Sequence, residues 1–211
     1  MMAGMNRVFS YENQAPNPNL LDKKWAYKKL QRESNQFHFM AENDFTTKGN
    51  HGMAMLQNTR WSIGTEWSLG YSQMHAYEVE AQLGRYIGKS QFFMPFIGYD
   101  WRYSRIEVDQ QGENVFGQNN TKDERSVFSI GSKYTLPWLL VLQAEIFQDG
   151  NVRFQLMRED IPITPRLRWA FMLNTDKEHM TGLKYIITPN VAFSTHYDSD
   201  MGIGFGASLS Y

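Results

Sequence analysis

From about residue 60 to the end of the chain, apolar and polar positions alternate with a period of two. In residues 61–71 one face carries Trp61, Ile63, Thr65, Trp67, Leu69 and Tyr71, and the other carries Ser62, Gly64, Glu66, Ser68 and Gly70. A helix would scatter both sets around its circumference, whereas a strand separates them cleanly. The alternation returns nine more times. Val79, Ala81 and Leu83 oppose Glu78, Glu80 and Gln82; Ile97, Tyr99, Trp101 and Tyr103 oppose Met94, Gly98, Asp100 and Arg102. Further segments follow at residues 128–136, 140–146, 152–157, 167–173, 183–187 and 191–197. The closing stretch sets Met201, Ile203, Phe205, Ala207, Leu209 and Tyr211 against Gly202, Gly204, Gly206, Ser208 and Ser210.

Upstream the pattern is weaker. Phe37, Phe39 and Ala41 alternate with His38, Met40 and Glu42, which predicts a strand through Phe45, and residues 6–12 give a fainter one. Counting both predicts twelve strands; dropping both predicts ten. Even numbers are the rule in bacterial single-chain barrels, and twelve is the expectation. Between those two segments, Pro16 and Pro18 mark a loop. Residues 21–32 hold Lys23, Lys24, Lys28, Lys29 and Arg32 beside Trp25 and Leu30, a short surface helix that is either a solvated face or an anchor to anionic headgroups.

A soluble sandwich and a transmembrane barrel both alternate. The sandwich uses strands of about five or six residues around an apolar interior. The barrel uses strands of about nine to eleven residues with the apolar face outward. The segments here run long, and aromatics crowd their ends: Trp61, Tyr71, Tyr103, Trp138, Tyr197 and Tyr211. That is the position of an interfacial aromatic girdle. The connections alternate too. Short ones at 88–91, 136–138, 163–166 and 188–190 interleave with more charged ones at 72–75, 106–124, 148–151, 176–179 and 198–200. Short turns at one end and longer loops at the other are the barrel arrangement, with the long loop outside the cell. The fold expected is all-β, a closed antiparallel up-and-down transmembrane β-barrel over residues 36–211, in the bacterial outer membrane and in contact with its lipid. Residues 1–35 form a linker with the first strand and the basic segment.

Composition narrows the chemistry. The chain of 211 residues has no Cys, which removes disulfides, thiol catalysis and cysteine metal sites. A net charge of −1 gives no basic footprint for nucleic acid. No run of about eighteen apolar residues predicts a membrane-spanning helix. The first six residues lack the basic and apolar regions of a secretory signal, which fits either a removed signal or the C-terminal piece of a longer protein. No Ser-His-Asp spacing, phosphate loop or HExxH motif is present, so no enzyme is expected.

The stretch YEVEAQLGRYIGKSQFFMPFIGYDWRY at residues 77–103 resembles a strand–turn–strand of the CopB-type copper resistance outer-membrane proteins. SVFSIGSKYTLPWLLVLQAEIFQDGNVRFQLMREDIPITPRLRWAF resembles the part that follows, and together the likeness spans about residues 37–173. The chain is closer still to such a barrel found as the C-terminal extension of some multicopper oxidases, with MMAGMNRVFSY like the junction. The Met- and His-rich N-terminal repeats of the family and any His-Cys-His oxidase motif are missing. The resemblance implies copper as the metal, and a multicopper oxidase domain or periplasmic copper protein as partner.

Copper(I) prefers thioether sulfur, then imidazole. His51, Met53 and Met55 fall at i, i+2, i+4, so an extended backbone points all three one way. His38 and Met40 repeat the spacing. Met1, Met2 and Met5, and the pairs Met74-His75 and His179-Met180, are weaker clusters, and ordinary packing is the blander reading of each, since Met fills gaps. The charged inner face (Glu66, Glu78, Glu80, Asp100, Arg102, Lys133, Glu145, Arg153, Arg166, Arg168, Lys184 and His196) reads either as a salt-bridged plug or as a polar conduit. Two functions follow: a barrel that places or passes copper ions at the outer membrane in copper tolerance, and a structural anchor for a fused or partner domain.

Overall fold

The computed structural model describes residues 25–30, 32, 35–71, 77–88, 90–103, 113–118, 124–199 and 201–211. The chain divides into two compact units, residues 1–36 and 37–211. In the first, residues 25–30 are helical, with Trp25, Tyr27 and Leu30 exposed and the Lys29 ammonium over the Trp25 ring.

The second unit is a closed barrel of twelve antiparallel strands, each paired with its neighbours in sequence, and the last paired back to the first. The strands are β1 (His38–Thr46), β2 (Gly49–Gln57), β3 (Trp61–Gly70), β4 (Tyr77–Arg85), β5 (Phe93–Tyr103) and β6 (Glu124–Thr135). They continue as β7 (Val141–Phe147), β8 (Val152–Pro162), β9 (Leu167–Asn174), β10 (His179–Thr188), β11 (Val191–Asp198) and β12 (Gly202–Ser210). The expected number holds with a different membership. Residues 6–12 lie outside the described residues, and β2 is a strand that the alternation did not single out. Its sequence GNHGMAMLQ has small residues at the outward positions Gly52 and Ala54, so apolar contrast is lost there. Gly52 lies under the Trp67 indole, where a Cβ would sit 2.2 Å from the ring, so the outward apolar group at this level comes from β3.

Polarity is inverted relative to a water-soluble domain. The outward residues are the large apolar ones, with Ile97 58%, Phe128 64%, Ile130 68% and Ile203 59% exposed. The inward residues include Asp100 at 0%, Glu145 at 1% and Arg125 and Arg153 at 3%. The fully covered apolar side chains, Met94, Phe96, Phe147 and Met157, sit among those charges. Folding cannot be driven by burying the outer face within this chain, because that face stays uncovered.

Short connections lie at one end, at residues 58–60, 86–92, 136–140, 163–166 and 189–190. Local chemistry makes them tight. The Asn58 carboxamide oxygen accepts from the backbone N–H of Arg60 and Trp61 at 2.8 and 2.7 Å, an Asx turn. Thr164 Oγ1 does the same for Leu167 at 2.9 Å. The other end carries 47–48, 71–76, 104–123, 148–151, 175–178 and 199–201. There Asn114 Oδ1 accepts from the N–H of Phe116 and Gln118, and Gln118 Oε1 accepts from Val152 N–H at 3.0 Å, which ties part of the long loop to the start of β8. Trp61, Trp138 and Tyr211 mark the short-turn end, and Tyr71, Tyr103 and Tyr197 the loop end.

Candidate functional site

The alternation places charges on two walls of the lumen. The first wall comprises β4 to β8. Arg153 on β8 donates to Glu145 on β7 at 2.6 Å and to Glu80 on β4 at 2.8 Å. Four strand positions separate β8 from β4 around the barrel, so the second bond crosses the lumen. Gln143 donates to the remaining oxygen of Glu145 at 2.8 Å. Toward the loop end, Arg102 reaches Glu78 at 2.6 Å, Asp100 at 2.9 Å and Glu178 at 3.5 Å. Arg125, the cross-strand partner of Arg102, lies 3.9 Å over the Phe147 ring, with Asp149 and Asp100 at 3.6 and 3.9 Å. Two adjacent guanidinium groups are tolerated because carboxylates surround both. Glu178, in the loop before β10, is held below the ordinary carboxylate range. Burial pushes it up, and the Arg102 charge with the Asn174 amide, which donates to it at 2.6 Å, outweighs that.

The second wall comprises β10, β11, β12, β1 and β2. Lys184 pairs with Glu42 and lies 3.4 Å from Asp44, while Ser208 Oγ donates to Glu42 at 3.3 Å. Beside them the rings of His51 and His196 meet edge to face, with centroids 5.1 Å apart.

Toward the short-turn end the lumen opens into a cavity of about 330 Å³. Met53, Met55, Met94 and Met157 line it, with the Glu66–Lys133 pair (3.8 Å) on its wall. Gly84 makes room for one of these side chains, since a Cβ there would lie 2.8 Å from Met94 Sδ. Four thioethers around one space form a soft donor set of the type copper(I) accepts. No family model and no curated protein matches the chain.

Of the residues singled out from sequence, His51, Met53 and Met55 do share the inward face of β2. They part company within the lumen. Met53 and Met55 line the cavity, whereas His51 stands against His196. Met40 is the cross-strand partner of Met55 but is 38% exposed, and His38, opposite Gln57, is exposed at the strand start. His179 is exposed and packs on Tyr197. Met1, Met2, Met5, Met74 and His75 lie outside the described residues. Arg166 belongs to the 163–166 turn and not to the lumen wall, because β9 begins at Leu167. Sequence reasoning passed over Met94 and Met157 as sites although their inward parity was visible. What it lacked was the closure that brings β5 and β8 round to β2. Among the described residues, no three His, Asp or Glu side chains converge as a metal cluster.

Proposed function

We propose that this chain is a bacterial outer-membrane barrel with a closed lumen, acting as a membrane-embedded platform and not as an enzyme or an open pore. The carrying observation is the inverted polarity: exposed Ile97, Phe128, Ile130 and Ile203 outside, buried Asp100, Glu145, Arg125 and Arg153 inside. A hydrocarbon solvent satisfies the first set, and opposite charges within the lumen offset the burial of the second. The Arg153–Glu80 bond across the lumen supports closure over conduction. As a platform the barrel anchors a fused or partner periplasmic domain, of which a multicopper oxidase domain is the first candidate. The test reconstitutes the protein into lipid vesicles and planar bilayers. Folded insertion with no steady conductance is expected, and a stable conductance from the parent chain rejects the closed-lumen platform.

A second reading is favoured by the cavity itself. Met53, Met55, Met94 and Met157 give it the thioethers that would hold copper(I) at the outer membrane in copper tolerance. The ion would then be cargo, handed over at the short-turn end to a periplasmic copper protein. Competition with a chromogenic copper(I) chelator on the purified barrel tests this. Replacing Met53 and Met157 together by Leu is expected to weaken uptake about tenfold or more, given sulfur's role as the preferred donor. Equal uptake by the variant makes the methionines packing and leaves the platform alone.

A further inference from the structure

Several buried polar atoms of the lumen have no hydrogen-bond partner, the Arg125 guanidinium nitrogens among them, and one group of these combines two imidazoles and a carboxylate. His51 Nε2 and His196 Nε2 are both buried and neither has a hydrogen-bond partner, and Asp44 Oδ1 beside them is in the same condition. A buried ring nitrogen left bare costs free energy, so two of them on rings in edge-to-face contact need an explanation. The backbone is shaped around them. His51 and Asp44 are direct cross-strand partners on β2 and β1, and His196 is the partner of Gly204 on β12. A Cβ on Gly204 would come within 2.8 Å of His196 Cε1 and 3.1 Å of its Nε2, so only glycine at this position leaves the imidazole its place. Asp44 and Asp198 place negative charge beside the pair, and Lys184 lies 3.4 Å from Asp44.

We infer that His51 and His196 form a binding site for a divalent transition cation of the zinc, nickel or copper(II) class, in the loop-side half of the lumen. The neutral imidazole Nε2 is the usual nitrogen ligand of such ions, and borderline cations prefer it over thioether sulfur. Two imidazoles occupy two of four tetrahedral positions. Water completes the set, and the Asp44 carboxylate, with one oxygen bare, is the negative charge beside it. Imidazoles held by β2 and β11 of a closed barrel, with β12 and β1 between them, are already ordered, which lowers the entropy cost of binding. This goes beyond the copper(I) reading: the donors differ, the residues differ, and the site lies toward the loop end while the methionine cavity lies toward the short-turn end.

The experiment uses the full chain, purified in detergent without a histidine tag. Zinc is titrated calorimetrically, and cobalt(II) is used as a spectroscopic probe whose visible bands report nitrogen ligation. One zinc per chain is expected. His51→Gln and His196→Gln should each weaken it by about tenfold or more, as loss of a metal-supporting group does. His38→Gln and His179→Gln should leave it unchanged, and Met53→Leu with Met157→Leu likewise, which separates this site from the copper(I) cavity. A second measurement needs no variant: zinc should protect His51 and His196, but not His179, from carbethoxylation by diethyl pyrocarbonate, read by peptide mass spectrometry. If the folded His51 and His196 variants bind zinc like the parent, or if zinc protects neither histidine, the pair is a packing contact and the inference falls.

Discussion

Arg153 shows how much rests on one lumen side chain. It is 3% exposed, bonds Glu145 and Glu80, lies 3.8 Å from Glu78, and its guanidinium stands 5.2 Å from the Phe147 ring centroid. A buried pair adds little net stability, but removing one partner strands the other's charge away from water. Arg153→Met is therefore expected to cost about 3–5 kcal/mol, by the one-sided rule, and to lower the temperature of heat-modifiable gel mobility. Adding Glu80→Gln and Glu145→Gln should recover most of it. A single variant that melts with the parent would mean that water reaches these carboxylates. Glu178 makes a pH-dependent case. Its folded value is depressed, so its ion pair with Arg102 stabilises the 175–178 loop above the ordinary carboxylate value. That contribution is lost as pH falls through the folded value. Amide exchange in this loop should therefore quicken on acidification below the ordinary Glu range, and Glu178→Gln should flatten the dependence.

Among the elements, the seam between β1 and β12 decides whether the sheet closes. Tyr211 contributes through its backbone: its N–H donates to Ala41 O at 2.8 Å, and its carbonyl accepts from Ala41 N–H at 3.0 Å. Its ring packs on Phe39, with centroids 6.1 Å apart. Gly206 lies at the other end of the same pairing, opposite Thr46, where a Cβ would fall 1.7 Å from the Phe45 carbonyl oxygen. The clash is with backbone, so no rotamer relieves it. Gly206→Ala should force the seam apart and sharply reduce the yield of folded barrel, while Gly64→Ala, whose Cβ meets nothing closer than 3.8 Å, should be tolerated. Deleting Tyr211 removes two seam hydrogen bonds and an aromatic contact, and slower assembly into vesicles is the expected result. Both are read by the fraction of heat-modifiable protein.

At the scale of the molecule, the proposed membrane location makes a map of solvent contact the decisive measurement. Spin labels at Ile97, Phe128 and Phe205 should be reached by oxygen dissolved in lipid and shielded from an aqueous nickel chelate, with labels at Gln91 or Trp138 showing the reverse trend. Aqueous access across the whole outer face would mean that this apolar surface does not lie in lipid and would reject the membrane location. A twelve-strand circumference is larger than the eight strands that side chains alone fill, and here the cross-lumen ion pairs occupy part of the extra space while the cavity remains at one end.

The sequence by itself determined the class of the fold and the facing of nearly every residue from Trp61 onward. A strand's side-chain period is a local property, and an uncovered apolar face with a charged opposite one leaves few architectures. It determined the two ends from β3 onward as well, since turn chemistry at Pro137 and Thr164 is local, while the Asn58 turn was missed together with β2. The strand β2 was hidden because Gly52 and Ala54 borrow cover from Trp67 on the next strand, a contact between neighbours that no single-strand pattern records. Which inward residues meet was decided only by closure. Spacing along β2 joins His51 to Met53 and Met55, but the lumen joins His51 to His196 and joins the methionines to Met94 and Met157. A chord across a barrel depends on how many strands close it and in what register. Those are properties of the whole ring and of no segment within it.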